Sequence, residues 1–215
     1  MINKKLRSVC RHLAVMGFCP HDVFEQITDD HFFKKGNLLM FEIKSSLPFE
    51  NDFVLDFIAY IKYSETEQEY FLEKISTSLV NTKSPAQHRS QVFYGLDIPF
   101  FSAKEIFNLL QGRAVYKNYT ASSENLRFWF QLDFSRTDTL GNYKFVKYGD
   151  TYNLDTILSK YPVKELRKQE LKTALLLSLK KGNIHPVTFV KETKLEKKFI
   201  CASPATKSIK IFPLR

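Results

Sequence analysis

Apolar and polar residues alternate along three consecutive segments of this chain, and turn-forming residues separate the segments. The alternating segments are 37–46, 53–63 and 69–79. A period of two residues is typical of β-strands with one buried face, and strands joined by short turns most simply form an antiparallel meander. The sequence therefore predicts a three-stranded antiparallel sheet in the first half of the chain.

Helical spacing precedes this sheet. Apolar residues recur at helical intervals over 3–16, and Gly17 suits the left-handed residue that ends a helix. Pro20 favours the first turn of a second helix over 20–28. These two segments predict an N-terminal helical hairpin, whereas the polar segment 81–91 predicts an exposed loop.

The second half combines helices and strands in an irregular order. Ser102 and Glu105 have the spacing of a capping box at the start of a helix that Gly112 ends, and Asn153 is a candidate N-cap. A longer helix is predicted over 164–181, with Leu171, Leu175 and Leu179 facing inward. The predicted strands are 127–134, 143–148, 184–191, 196–202 and 206–212.

This order is not a regular alternation of strands and helices. It favours an α+β fold with mostly antiparallel sheets, in which helices are inserted between strands, over a doubly wound parallel fold. We expect two domains: residues 1–98, with the N-terminal helices and the meander, and residues 99–215. A single joint domain is the alternative.

Positive charge is concentrated in the second half. Residues 1–100 contain 11 Lys and Arg against 13 Asp and Glu, a net charge of −2. Residues 101–215 contain 21 against 10, a net charge of +11, which gives the total of +9. A strongly basic region indicates an anionic partner, and nucleic acid is the commonest one.

Several other classes of protein are not supported by the sequence. It contains no apolar run long enough for a membrane-spanning helix, no secretory signal and no catalytic motif of the common hydrolase, nucleotide-binding or kinase types. Cys10, Cys19 and Cys201 have no disulfide-framework spacing, which favours reduced thiols in a cytoplasmic protein. We expect no enzymatic activity and no cofactor.

Residues 102–212 contain a series of short blocks in a fixed order. The blocks are RAVYK (113–117) with Gly112 before it, FQLDF (130–134), GNYK (141–144), LSKYPVKEL (158–166), SLKKGN (178–183), VTF (187–189), FICASP (199–204) and KSI (207–209). In these blocks the chain resembles a family of uncharacterised proteins carried on conjugative and other mobile elements of Bacteroidetes. Two departures are the absence of a glycine-containing loop at 118–126 and Cys201 in place of an acidic residue. The resemblance implies a cytosolic accessory protein of mobile DNA, without a known activity.

Basic and aromatic residues of the second half are the candidate nucleic-acid contacts. Lysines at 164, 168 and 172 are four residues apart and would form one stripe on a helix. Trp129 and Tyr119 are candidate stacking residues, because alternation assigns Phe128 and Phe130 to the core. The candidate site comprises Arg113, Lys117, Arg127, Trp129, Lys164, Arg167, Lys168, Lys172, Lys194, Lys197 and Lys198. The alternative for these charges is a solvated surface, and for the aromatic residues a packed core.

Metal binding and acid–base chemistry have weaker support. Cys10, His12, Cys19 and His21 lie close in sequence but lack the spacing of a zinc site, so we expect no metal. Asp133 is interpreted as half of a buried ion pair with Arg113 or Arg127.

The leading functional hypothesis is an accessory protein of mobile elements that binds nucleic acid without sequence specificity through the basic half. The alternative hypothesis is an adaptor or inhibitor that docks on an acidic protein through the same charges. The oligomeric state is not predicted.

Overall fold

The computed structural model describes residues 6–19, 23, 40–94, 101–121, 124–149, 151–192 and 194–214. The chain divides into two compact units, residues 1–107 and 108–215. Each unit is described by itself.

Within the described residues, the elements follow one another as helix, four strands, helix, three strands, two helices and three strands. The helices are α1 (Arg7–Met16), α2 (Ala103–Leu110), α3 (Leu154–Leu158) and α4 (Gln169–Lys180), with 3₁₀ turns at Lys164–Arg167 and Pro204–Thr206. The strands are β1 (Met40–Phe49), β2 (Phe53–Ser64), β3 (Glu69–Asn81), β4 (Ser84–Tyr94), β5 (Val115–Ala121), β6 (Glu124–Thr137), β7 (Tyr143–Tyr148), β8 (His185–Lys191), β9 (Lys194–Ser203) and β10 (Ser208–Pro213).

The first unit contains an antiparallel meander in the order β1-β2-β3-β4. Period-two alternation sets its register, since Ile43 lies opposite Ala59 and Leu55 lies opposite Leu79, and all four side chains are buried. The α+β class with antiparallel sheets is confirmed. The meander has four strands, however, rather than the three that were predicted.

The fourth strand replaces the predicted loop at 81–91, so that prediction is wrong. Its polar residues do not show the pattern of a strand because, among the β4 side chains that the structure describes, only Gln91 and Phe93 are buried. Gln91 lies opposite Thr77, whose hydroxyl donates to the Gln91 carbonyl at 2.9 Å, and Phe93 lies opposite Ile75. Residues 84–94 thus form a strand because they pair with the edge of β3, although their own sequence does not alternate as a strand does.

Helix α1 ends where the sequence predicts. Gly17 has φ of +94°, and its N–H donates to the Ala14 carbonyl at 3.0 Å. The second helix, predicted at 20–28, falls outside the described residues apart from Val23, which is buried. The predicted helical hairpin is therefore not confirmed.

Helix α2 begins with the predicted capping box. The Ser102 N–H donates to the Glu105 carboxylate at 2.7 Å, and the Glu105 N–H donates to the Ser102 hydroxyl at 3.4 Å. Gly112 follows the helix with φ of +76°. The boundary of the compact units, 107/108, falls within this helix.

The second unit contains two three-stranded antiparallel sheets. We call the sheet β5-β6-β7 the second sheet and the sheet β10-β9-β8 the third sheet. A common core joins residues from both, including Trp129 of β6, Leu175 and Leu179 of α4, and Ile200 of β9. Strand β5 was not predicted, whereas the short helix capped by Asn153 is confirmed by a 3.1 Å bond from the Thr156 N–H.

The helix predicted over 164–181 is confirmed for Gln169–Lys180, but its predicted first turn is not part of it. Residues Lys164–Arg167 form a 3₁₀ turn, Lys168 is extended with φ of −118° and ψ of 126°, and α4 begins at Gln169. The chain breaks here because the preceding segment is bound to the edge of β8, where Val163 pairs with Phe189. Leu175 and Leu179 face inward as predicted, whereas Leu171, in the first turn of α4, is 47 % exposed.

No helix in the described part of the chain has the length and apolar character needed to cross a membrane.

Candidate nucleic-acid interface

The third sheet has one core side and one outer side. Val187 and Phe189 of β8 and Ile200 of β9 are buried in the core of the second unit. Since successive side chains of a strand point to opposite faces, the residues between them point away from this core. We call Pro186, Thr188, Val190, Leu195, Lys197, Phe199, Lys210 and Phe212 on this side the outer face. Cys201 lies on the same side, opposite Lys210, but is 3 % exposed, so this side is covered at that position.

Strand register places basic and aromatic side chains together on the outer face. Lys197 lies opposite Thr188, and Phe199 lies opposite both Pro186 and Phe212. Directly opposed residues of antiparallel strands share a face, and neighbouring strands are about 5 Å apart. Lys210 is two residues before Phe212 on β10, so it lies on the same face.

The acids of the third sheet lie elsewhere. Glu196 is on the core side, where its carboxylate lies 3.0 Å from the Lys198 ammonium. Lys198 also lies over the Phe189 ring, 5.9 Å from its centroid. Lys198 was a candidate contact, but it lies on the side opposite Lys197 and its charge is paired.

A row of bonds attaches the segment before α4 to β8. The Val190 N–H donates to the Pro162 carbonyl at 2.8 Å, and the Thr188 N–H donates to both Glu165 oxygens at 3.0 Å. This segment therefore extends the third sheet beyond β8. It carries Lys164, Arg167 and Lys168, of which Lys164 and Lys168 are exposed and Arg167 is half-buried.

Two more lysines mark the end of the β8–β9 hairpin. Lys191 and Lys194 are directly opposed and both are exposed, and the register places them on the same side of the sheet as Glu196 and Lys198. We call Lys164, Arg167, Lys168, Lys191 and Lys194 the basic rim. The structure thus brings five predicted contacts, namely Lys164, Arg167, Lys168, Lys194 and Lys197, to one sheet and its extension.

Lys172 is not part of this surface. Its ammonium lies 2.7 Å from an Asp155 oxygen, and the two side chains are partly exposed. Lys164 lies in a 3₁₀ turn and Lys168 is extended, and both precede α4. The predicted stripe of 164, 168 and 172 along one α-helix is therefore not formed. That prediction fails at the extended residue Lys168.

Three further candidate contacts, Arg113, Lys117 and Arg127, belong to the second sheet or precede it. Lys117 is half-buried in β5, and Arg127 is exposed in β6. Arg113, before β5, is half-buried, and its charge acts on the buried Cys201 thiol. Burial raises the pKa of that thiol, while the positive charges of Lys210 and Arg113 act in the opposite direction.

Trp129 is a core residue. It is 1 % exposed, and its ring lies 5.2 Å from those of Tyr116 and Tyr152. The prediction of an outward Trp129 is wrong because β6 is covered on both sides: Phe130, on the opposite face, is also fully buried. The side chain of Tyr119 lies outside the described part of the structure.

The predicted buried ion pair of Asp133 is also wrong. Its carboxylate lies 2.6 Å from Arg136 Nε and accepts from the Ser135 hydroxyl at 2.6 Å and the Ser135 N–H at 3.0 Å. These local bonds, and chiefly those from Ser135, lower the pKa of Asp133 to about 2. The residue therefore stabilises a strand bulge instead of pairing with Arg113 or Arg127.

A polar network closes the end of α4. The Ser178 hydroxyl lies 2.9 Å from His185 Nδ1 and accepts from Asn183 Nδ2 at 3.3 Å. The buried Asn108 donates to the Lys181 carbonyl at 2.6 Å and to Asn183 Oδ1 at 2.9 Å. These hydrogen bonds hold the connection between α4 and β8 in place. We therefore assign the network a structural role and not a role in binding.

The group of Cys10, His12, Cys19 and His21, for which no metal is expected, is only partly described, because His21 lies outside the described residues. Among the residues that the structure describes, no three metal-ligating side chains come together.

The sequence hypothesis omitted three outer-face residues, namely Phe199, Lys210 and Phe212. In the sequence, these residues alternate with others on two predicted strands: Leu195, Lys197 and Phe199 on one, and Lys210 and Phe212 on the next. Alternation does not show that the two sets share a face, because that depends on the register between the strands.

Comparisons of the chain with family models, with curated proteins and with solved structures found no match.

Proposed function

We propose that this chain is a non-enzymatic accessory protein of mobile genetic elements that binds nucleic acid without sequence specificity. The binding surface is the outer face together with the basic rim. The observation that carries the proposal is the outer face of the third sheet, which has Lys197 and Lys210 and no acid. The resemblance of residues 102–212 to mobile-element proteins supports the biological context.

The distribution of acids strengthens this argument. The second unit has 20 Lys and Arg against 9 Asp and Glu, a net charge of +11. Asp133, Asp155 and Glu196 are paired with Arg136, Lys172 and Lys198 away from the outer face. Positive charge therefore remains in excess on the outer face and the basic rim, as a phosphate backbone requires.

The chemistry of the surface favours binding that is independent of sequence. Lysine ammonium groups act as compact point charges that neutralise phosphates and release counterions, which happens with any sequence. The outer-face rings of Phe199 and Phe212 have no hydrogen-bonding groups with which to read base edges. We propose the cytoplasm as the location, because all three cysteines are free thiols.

The test is fluorescence anisotropy of the full chain with a labelled oligonucleotide of about 20 nucleotides across a salt series. We expect binding at about 50 mM salt, and log K that falls with log salt with a slope of about −2 or steeper, because about three phosphate contacts contribute about 0.7 each for a single strand. Scrambled oligonucleotides should bind with the same affinity. No binding at low salt, or a flat salt dependence, removes the proposal.

One observation favours a different alternative, an interaction module that binds a protein partner through α4 instead of through the basic charges. Leu171 and Leu177 of α4 are 47 % and 56 % exposed, and a helix docks on a partner through its apolar side chains. Affinity purification from the native host with and without nuclease separates the two functions. A protein that is retained after nuclease treatment, and lost with Leu177→Ser, supports the alternative.

A further inference from the structure

The outer face combines two phenylalanine side chains with lysines on both of their strands. Phe199 and Phe212 are directly opposed on β9 and β10. Phe212 is 37 % exposed and Phe199 is half-buried, so a ring surface faces solvent between Lys197 and Lys210. A soluble sheet gains nothing from exposing an aromatic pair, which makes this pair a candidate for ligand contact.

Charge determines which ligand this face fits. The described residues of the third sheet and its turns include two acids: Glu192 at the β8–β9 turn and Glu196 on the core side. Neither Lys197 nor Lys210 forms an ion pair within the described structure, and the basic rim adds five cations at the β8 edge and at the hairpin end of the sheet. An apolar peptide would contact the rings but would leave the ammonium groups without anionic partners. A polyanion with planar apolar groups can place its anionic groups on the lysines and stack its planar groups on the rings.

We propose that the outer face binds single-stranded nucleic acid, with bases stacked on Phe199 and Phe212 and phosphates held by Lys197, Lys210 and the basic rim. This inference rests on the proposed nucleic-acid binding and adds the kind of strand. In a duplex the bases are already stacked on one another, so their edges are exposed in the grooves but their faces are not available to aromatic rings. A single strand exposes its bases, and each base that stacks on an aromatic ring contributes about 1–3 kcal/mol.

The matched variants follow from the exposure of individual side chains. Phe212→Leu removes an outer-face ring, whereas Phe71→Leu removes a ring of the same 37 % exposure from β3 in the first unit. Phe212→Tyr keeps a ring at the site. Lys197→Gln removes a phosphate contact and leaves both rings in place.

The experiment measures anisotropy of the full chain with labelled dT15 and with the dT15·dA15 duplex at about 50 mM salt. We expect the single strand to bind about tenfold tighter than the duplex. Phe212→Leu should weaken single-strand binding by about fivefold or more and leave duplex binding within about twofold, while Phe71→Leu and Phe212→Tyr retain wild-type affinity. Lys197→Gln should weaken binding to both ligands.

The outcomes separate this inference from the proposed function. Equal affinity for the two ligands, with no effect of Phe212→Leu, overturns the single-strand inference and leaves nucleic-acid binding in place. If neither ligand binds, both fail. Thermal unfolding of each variant, followed by Trp129 fluorescence, shows that the second unit is folded; should Phe212→Leu unfold, Phe199→Leu takes its place with the same expected losses.

Discussion

Lys172 Nζ lies 2.7 Å from Asp155 Oδ1, whereas Lys197 projects from the outer face without an acidic partner in the described structure. The two lysines belong to the same unit and were both predicted as nucleic-acid contacts. The two side chains carry the same charge but lie at different positions, so substitutions of the two lysines can be compared directly.

Lys197→Gln should therefore weaken oligonucleotide binding, and Lys172→Gln should not. The first change removes one phosphate contact, which lowers the salt slope by about 0.7 for a single strand. The second breaks a partly exposed ion pair, which costs about 1 kcal/mol of stability at most. Anisotropy across a salt series measures both slopes, and equal losses in the two variants would contradict the assigned surface.

Trp129 should report folding and not binding. Its ring is buried against Tyr116 and Tyr152, so iodide should quench its fluorescence poorly, and a saturating oligonucleotide should leave its emission maximum unchanged. Trp129→Ala should destabilise the second unit by about 3–5 kcal/mol, as buried aromatic truncations do. Strong quenching of Trp129 fluorescence by the oligonucleotide would show that Trp129 contacts the nucleic acid, and would contradict its assignment to the core.

The three cysteines should differ in reactivity toward iodoacetamide. Cys19 is exposed, whereas burial raises the pKa of the Cys10 and Cys201 thiols and so lowers their thiolate fraction. Peptide mass spectrometry at about pH 8 should show Cys19 alkylated first, Cys10 more slowly and Cys201 last. In denaturant all three should react; rapid native labelling of Cys201 would show that its part of β9 is not packed.

His185 should make the protein less stable as the pH falls below neutrality. Burial lowers its pKa from the ordinary 6.5, although the nearby Glu165 charge opposes this effect. Below the ordinary pKa the unfolded state binds a proton that the folded state resists, so stability decreases as the pH falls toward the folded pKa. Urea unfolding at about pH 7.5 and about pH 5.5 should show this loss, and His185→Gln should reduce it. An identical loss in the variant would assign the pH dependence to other groups.

Local signals predicted part of the fold correctly. The Ser102–Glu105 capping box, the Asn153 cap and the Gly17 terminus are formed by residues within a few positions of each other, so sequence alone predicts them. Strand β4 and the break at Lys168 depend instead on pairing with β3 and β8, which a local pattern of residues does not reveal.

The candidate site shows the same division. Charge counts predicted a basic second unit, and the structure places Lys164, Arg167, Lys168, Lys194 and Lys197 on one sheet and its extension. Trp129 and Lys198 could not be excluded from sequence, since alternation gives two faces without saying which are covered. The register of β9 with β10 is what places Phe199 beside Phe212.

The most direct test of the outer face is an amide NMR titration of the full chain with dT15. The account predicts chemical-shift changes confined to residues 164–168, 188–199 and 210–212, with the lysine variant Lys197→Gln reducing them. Changes spread over both units, or centred on α1 and the first sheet, would contradict it.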